Sequence, residues 1–169
     1  YLQPTGAFRE GDPIYVFQQQ NATLYGGEFG FHIHPHPIDW LHLERSHDIV
    51  YGELEDDTNL PLIPANRWTN TFRVEWKKME NKYNCYAFVT LQTYFDQNKV
   101  AEFETRTPRY NLFNMGIGGD AMIFNQKIGY KISANNLFDK NYISHLSRLK
   151  PDGIANIGRN IAFNLSIPL

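Results

Sequence analysis

Apolar and polar residues alternate along much of this chain. In 157–168, Ile161, Phe163, Leu165 and Ile167 fall on one side of an extended backbone. Asn160, Ala162, Asn164 and Ser166 fall on the other, because successive side chains of a strand point to opposite faces. In 126–138, Ile128, Tyr130 and Ile132 oppose Lys127, Gly129, Lys131 and Ser133; in 109–122, Phe113, Met115 and Ile117 oppose Asn114, Gly116 and Gly118. In 66–79, Trp68, Phe72, Val74 and Trp76 oppose Thr69, Thr71, Arg73, Glu75 and Lys77. The lower half of 13–34 sets Phe29, Phe31 and Ile33 against Glu28, Gly30, His32 and His34. Two further segments, 39–54 and 83–97, have the length of strands but mixed faces. Seven strands are therefore predicted and no helix.

The connections between these segments alternate in kind. Short ones fall near His36–Asp39, Glu80–Lys82 and Ile123–Gln126. Long, polar or proline-containing ones span Glu55–Ala65, Asn98–Pro108 and Asp139–Asn156, with Gly6–Asp12 ahead of the first strand. Short turns at one end and long loops at the other are the habit of an antiparallel up-and-down barrel in the outer membrane.

Alternation alone fits a sandwich with a dry core as well as a barrel with lipid outside and a polar lumen. Three details favour lipid. The polar faces carry Asn, Gly, Ser and Thr besides the charges expected of a solvated sheet. Trp68 and Trp76 share a face and stand about 26 Å apart along a strand, which at a tilt near 40° is roughly 20 Å of height, close to the spacing of two aromatic girdles. Several strands also exceed the ~9–11 residues that cross a bilayer.

Composition changes the picture at three points. A formal net charge of −2 lacks the basic footprint of a nucleic-acid binder, so no nucleic-acid partner is expected. A single cysteine, Cys85, excludes an intrachain disulfide and any cysteine-cluster metal site. No apolar stretch reaches the ~18 residues of a transmembrane helix, a test that strands escape.

Several segments resemble the C-terminal end of TonB-dependent outer-membrane receptors. Tyr25-Gly26-Gly27-Glu28 resembles their recurrent strand motif, followed by a turn such as His36-Pro37-Ile38-Asp39. Leu60-Pro61-Leu62-Ile63-Pro64 with Asn66-Arg67 resembles the proline-bounded start of a descending strand. Phe103-Glu104-Thr105-Arg106-Thr107-Pro108 before Tyr110-Asn111-Leu112-Phe113-Asn114 is similar to a loop-to-strand passage of the family. Asn136-Leu137-Phe138-Asp139-Lys140-Asn141-Tyr142 is the most specific likeness, and Gly158-Arg159-Asn160 opens a typical final strand. The usual terminal aromatic is missing, because Pro168 and Leu169 stand there.

The resemblance implies an all-β fold: an antiparallel up-and-down transmembrane β-barrel, with residues 1–169 forming its C-terminal part, about the last seven of 22 strands. Seven is odd where such barrels are even, so Tyr1 is expected at the outer end of a preceding strand, with a plug and earlier strands elsewhere. The implied function is non-enzymatic: an outer-membrane receptor and transporter of a Gram-negative bacterium, coupled to the TonB system through the N-terminal part. Its ligand is expected to be a metal ion or metal complex (iron siderophore, haem or zinc), with no resident cofactor. A small self-contained outer-membrane barrel and a soluble β-sandwich are the alternatives.

Two groups of residues invite a site. His32, His34, His36, His42 and His47 are imidazoles of the kind that ligate zinc and copper, and His32 and His34 share a face. They fall toward the periplasmic rim, where contact with a plug or water is the plainer account. His145 lies in the long outer loop with Tyr142 and Arg148, facing the medium where a ligand is captured. The stretches around Phe103–Pro108 and Tyr142–His145 are similar to receptors that take up zinc. Tyr142, His145 and Arg148 are accordingly the expected ligand contacts, with His145 the expected metal ligand. Arg73, Glu75 and Lys77 are expected as an ion ladder on the polar face, and Asp48, Glu53, Glu55, Asp56 and Asp57 as a solvated acidic stretch.

Overall fold

The computed structural model describes residues 1–78, 83–123 and 126–167. Among these, β3 (Ala22–Ile33), β4 (Leu41–Leu54), β5 (Arg67–Lys78), β6 (Tyr83–Tyr94), β7 (Tyr110–Ile123), β8 (Gln126–Asn135) and β9 (Asn160–Ser166) form one sheet in chain order. Every neighbouring pair is antiparallel, as expected of an up-and-down meander. Among the described residues the sheet is open, with β3 and β9 at its ends. The expected turn at Glu80–Lys82, the middle of the Ile123–Gln126 turn and the terminal Pro168–Leu169 lie outside the described residues.

The first strand differs from the expected 13–34. It divides at the polar run Gln18–Asn21 into β2 (Asp12–Phe17) and β3, and β2 pairs with β1 (Leu2–Arg9) in a separate hairpin. The stretch expected as the Gly6–Asp12 connection supplies the end of β1 and a turn at Glu10 and Gly11, both with positive φ. A β-bulge between Pro4 and Phe8 gives this hairpin its irregular register.

Register turns five separate alternations and two mixed strands into one surface. The rows Leu43–Phe72–Val89–Met115–Ala134–Ile161 and Leu41–Val74–Ala87–Ile117–Ile132–Phe163 each cross the sheet from β4 to β9 on one face. Phe29 and Phe163 on that face are 67% and 65% exposed, so it is not the inside of a packed core. The same pairing settles the two mixed strands: Leu41, Leu43 and Ile49 of β4, and Ala87, Val89 and Leu91 of β6, belong to it. What obscured β4 is Arg45 and His47. Both lie on the apolar face at the level of Trp68, where the Arg45 guanidinium sits 4.4 Å over the indole and His47 packs edge-on against it.

The opposite face is polar and is smoothed by aromatic–glycine pairs. Tyr86 and Phe88 lie across from Gly118 and Gly116, and a Cβ on Gly116 would come within 2.7 Å of the Phe88 ring. Glycine is required there because a neighbouring aromatic occupies the side-chain space.

Packing is densest at the long-loop end. Leu54, Ile63, Ala101, Tyr110, Thr107, Gln97, Asn136 and His145 are all buried there. Gln97 donates to the carbonyls of Ile63 and Pro64 at 3.0 and 3.1 Å, and the Leu62 amide donates to Glu104 Oε1 at 2.9 Å. These loops thus hold one another through side chain to backbone bonds.

Candidate functional site

The loop from Asn136 to Arg159 is built on its own polar residues. Asn136 and Asp139 both take positive φ, 49° and 54°, a conformation that Asn and Asp accept more readily than other side-chain-bearing residues. The Asn136 side chain then donates to the Lys140 carbonyl at 2.9 Å and accepts from its amide at 2.8 Å. Asp139 accepts from the Arg159 amide at 2.8 Å, fastening the loop's two ends together. The stretch most specific in the sequence therefore has a structural task, shaping the passage out of β8.

Within this loop His145 is buried rather than presented to the medium. Its side chain is 2% exposed. Nδ1 lies 2.9 Å from Thr107 Oγ1 and 3.0 Å from Lys150 Nζ. Lys150 also donates to the Thr105 carbonyl. An ammonium has no lone pair to offer, so Nδ1 accepts and the ring proton is assigned to Nε2. That Nε2 has no hydrogen-bond partner; the nearest carboxylate oxygen, of Glu104, is 3.9 Å away. Burial, and after it the Lys150 charge, hold the imidazole below its ordinary pKa. Burial likewise lowers the pKa of Lys150.

The other two expected contacts line different clefts. Arg148 lines a cleft of about 400 Å³ with Phe103, Glu104, His145, Lys150 and Tyr15. Tyr142 lines a separate cleft of about 260 Å³ and packs in a tilted arrangement against Tyr110, ring centroids 4.7 Å apart. Tyr142 and Arg148 therefore do not converge on one point. Thr107 and Glu104 were invisible as partners of His145 because 38 and 41 residues separate them in the chain, and Lys150, five residues on in the same loop, carries no pattern that marks it.

The histidines near the short turn separate into three fates. His36 pairs with Asp39 inside the turn at 3.1 Å, both exposed. His47 lies on the apolar face against Trp68 and Phe95. His32, His34 and His42 come together on the polar face at the foot of the β3–β4 hairpin. Their ligand atoms all lie within 4.8 Å of one another, and among the described residues no other group of three or more His, Cys, Asp or Glu does so. His32 Nε2 is 3.1 Å from His42 Nδ1, and Glu44 Oε1 stands 3.8 Å from the same His32 nitrogen. On its other side His42 Nε2 faces Glu75 Oε2 at 3.7 Å, and Glu75 is held by Arg73 at 2.6 Å. The sequence showed His32 and His34 as face-mates; His42 joins them through register, which the mixed face of 39–54 concealed.

The expected charge groups are placed less tightly. Arg73 and Glu75 form their ion pair, and the Lys77 side chain lies outside the described residues. The acidic stretch disperses: Asp48 pairs with Arg67 at 2.8 Å, Glu53 accepts from Tyr25, Glu55 from Asn21, and Asp56 from Thr58.

No family model matches the chain. Among solved structures it is similar to the copper transporter OprC, with a TM-score of 0.76 over 97% of this chain and 26% of that one, at 16% sequence identity. The chain spans about a quarter of that protein's length, and at this identity the likeness is one of fold. This chain has the open, all-antiparallel fold of a segment amounting to about a quarter of the copper transporter OprC.

Proposed function

We propose that the chain is part of an outer-membrane transporter that imports a scarce metal ion or metal complex, coupled to the TonB system through parts of the protein outside these 169 residues. The observation that carries this reading is the apolar face that runs from β3 to β9, interrupted by Arg45 and His47 beside Trp68, opposite a polar one. A sheet with one face in lipid must satisfy its backbone internally and close with further strands. The fold shared with a copper transporter supports the same direction. In this reading β3, β5, β7 and β9 descend toward the periplasm, and the long loops face the medium.

Ligand capture then belongs to the long-loop end. Arg148 offers its guanidinium to the larger cleft, and His145 Nε2, which has no hydrogen-bond partner, becomes a metal ligand once its proton has moved to Nδ1, where Thr107 Oγ1 can accept it. Tyr142 supports the loop from the neighbouring cleft through its tilted ring contact with Tyr110.

Growth of a deletion strain under limitation for zinc, copper, iron chelates, haem and cobalamin tests the reading. It predicts a defect on one metal-containing substrate, restored by the intact gene. Undiminished growth on every substrate refutes import. Recovery of the intact protein in buffer without detergent refutes the membrane placement.

A further inference from the structure

We infer that His32, His34 and His42 form a binding site for a divalent transition-metal ion of the zinc and copper(II) class. It lies at the opposite end of the sheet from the buried His145. The inference rests on the transport reading for one point alone, that this end of the polar face is where cargo leaves.

The geometry follows from the hairpin. His32 and His34 are two apart in sequence and project from one face. The β3–β4 register, in which Ile33 faces Leu43 and His32 faces Glu44, brings His42 opposite His34. Three imidazoles thus converge from a rigid antiparallel pair, with ring centroids 4.2–5.2 Å apart. A tetrahedral ion with nitrogen ligands at about 2.1 Å sets those nitrogens about 3.4 Å apart. The 4.8 Å spread found here closes to that value by small side-chain rotations.

The surroundings have the parts of a metal site. The His32 Nε2 to His42 Nδ1 contact of 3.1 Å requires one proton between two lone pairs. A bound ion takes both of those lone pairs, and the displaced proton moves to the other nitrogen of its own ring, which leaves both imidazoles neutral. Glu44, whose Oε1 is 3.8 Å from His32 Nε2, supplies a carboxylate beside the three imidazoles. Glu75 faces the far nitrogen of His42 and is itself fixed by Arg73, the carboxylate–histidine arrangement that orients a ligating ring and strengthens it as a donor. Neutral imidazoles with one carboxylate suit zinc and copper(II), whereas magnesium and calcium require oxygen ligands. Half-exposed His32 beside mostly buried His42 leaves an open approach, as a site that passes an ion onward needs.

The test uses the intact protein in detergent, stripped of metal and titrated with zinc against a chromophoric chelator. Wild type is expected to bind one more zinc per chain than His32→Gln/His42→Gln, with magnesium competing for neither. Glu75→Gln should weaken that site 10–100-fold, while His36→Gln and His47→Gln leave it unchanged. The wild type loaded with copper(II) should show nitrogen couplings in its electron paramagnetic resonance spectrum, a measurement that needs no variant to fold. Equal zinc stoichiometry and affinity in wild type and the double variant, or a copper spectrum without nitrogen coupling, overturns the site. Zinc binding lost in the double variant, while the deletion strain grows normally on every substrate, upholds the site and removes the transport reading. A growth defect in the deletion strain with unchanged zinc binding in the double variant removes the site alone.

Discussion

Replacing Val89 with arginine tests the placement of the apolar face in lipid. Val89 stands near the middle of β6, with Phe72 and Met115 as cross-strand partners on either side. Phe72 lies four residues from Trp68 and four from Trp76, so about 14 Å along the strand from each and about 10 Å in height at a tilt near 40°. If the two tryptophans mark the two interfaces, Val89 is at the midplane. An arginine on the lipid face of a barrel costs about 2–4 kcal/mol at that depth and about 0–1 kcal/mol near an interface. At 1.36 kcal/mol per decade this is roughly 30- to 900-fold in the folding equilibrium. On a water-facing sheet the same change at this half-exposed position costs within about 0.5 kcal/mol. The assay is denaturant unfolding of the intact protein from phospholipid vesicles. Cys85→Arg, opposite Trp76, serves as the interface control, and Thr90→Arg, on the polar face, as the other. The expected order of destabilisation is Val89 first, with Cys85 and Thr90 both small. Equal, small effects at Val89 and Thr90 would refute the lipid assignment and leave the apolar face to another covering.

Three further outcomes follow from the loops and the polar face. The folded His145 imidazole binds protons less readily than the unfolded one. The loop's stability is therefore full above about pH 6.5 and is lost as pH falls from there toward the depressed folded value. Protease cleavage between Asn136 and Arg159 should rise on acidification through that window, and a His145→Gln protein with the same pH profile would exclude His145 as the cause. Asn136→Ala removes two hydrogen bonds and leaves alanine in a left-handed conformation, costing about 2–4 kcal/mol. Limited proteolysis should find this loop cut first, and wild-type resistance would count against the locking role. Gly116→Val forces a side chain against Phe88 and the Ile132 carbonyl and should cost about 1–3 kcal/mol. Phe88→Ala should recover part of that loss, and a cycle without coupling would show that the ring is not the obstacle.

The alternating segments determined the class of structure by themselves. A strand shows its two faces in sequence because its side chains repeat every two residues, a property of the backbone. Ile161, Phe163, Leu165 and Ile167 therefore reported their common face without any knowledge of their neighbours. Two kinds of fact needed the tertiary structure. One is register: β4 concealed its apolar face because Arg45 and His47 interrupt it, and pairing to β5 explains both by bringing Trp68 beside them. The β3–β4 register carries His42 to His32 and His34, a neighbourhood set by where a turn falls rather than by any motif. The other is burial in the loops. His145 was legible as a candidate ligand because it is a histidine in a long polar loop. Its enclosure by Thr107 and Glu104 arises from a segment that meets this loop only after the strands between them have paired, and Lys150 closes on it from within the loop. Periodicity is a local property and survives in sequence; which side chains meet depends on pairing at a distance, and that is decided by the folded sheet.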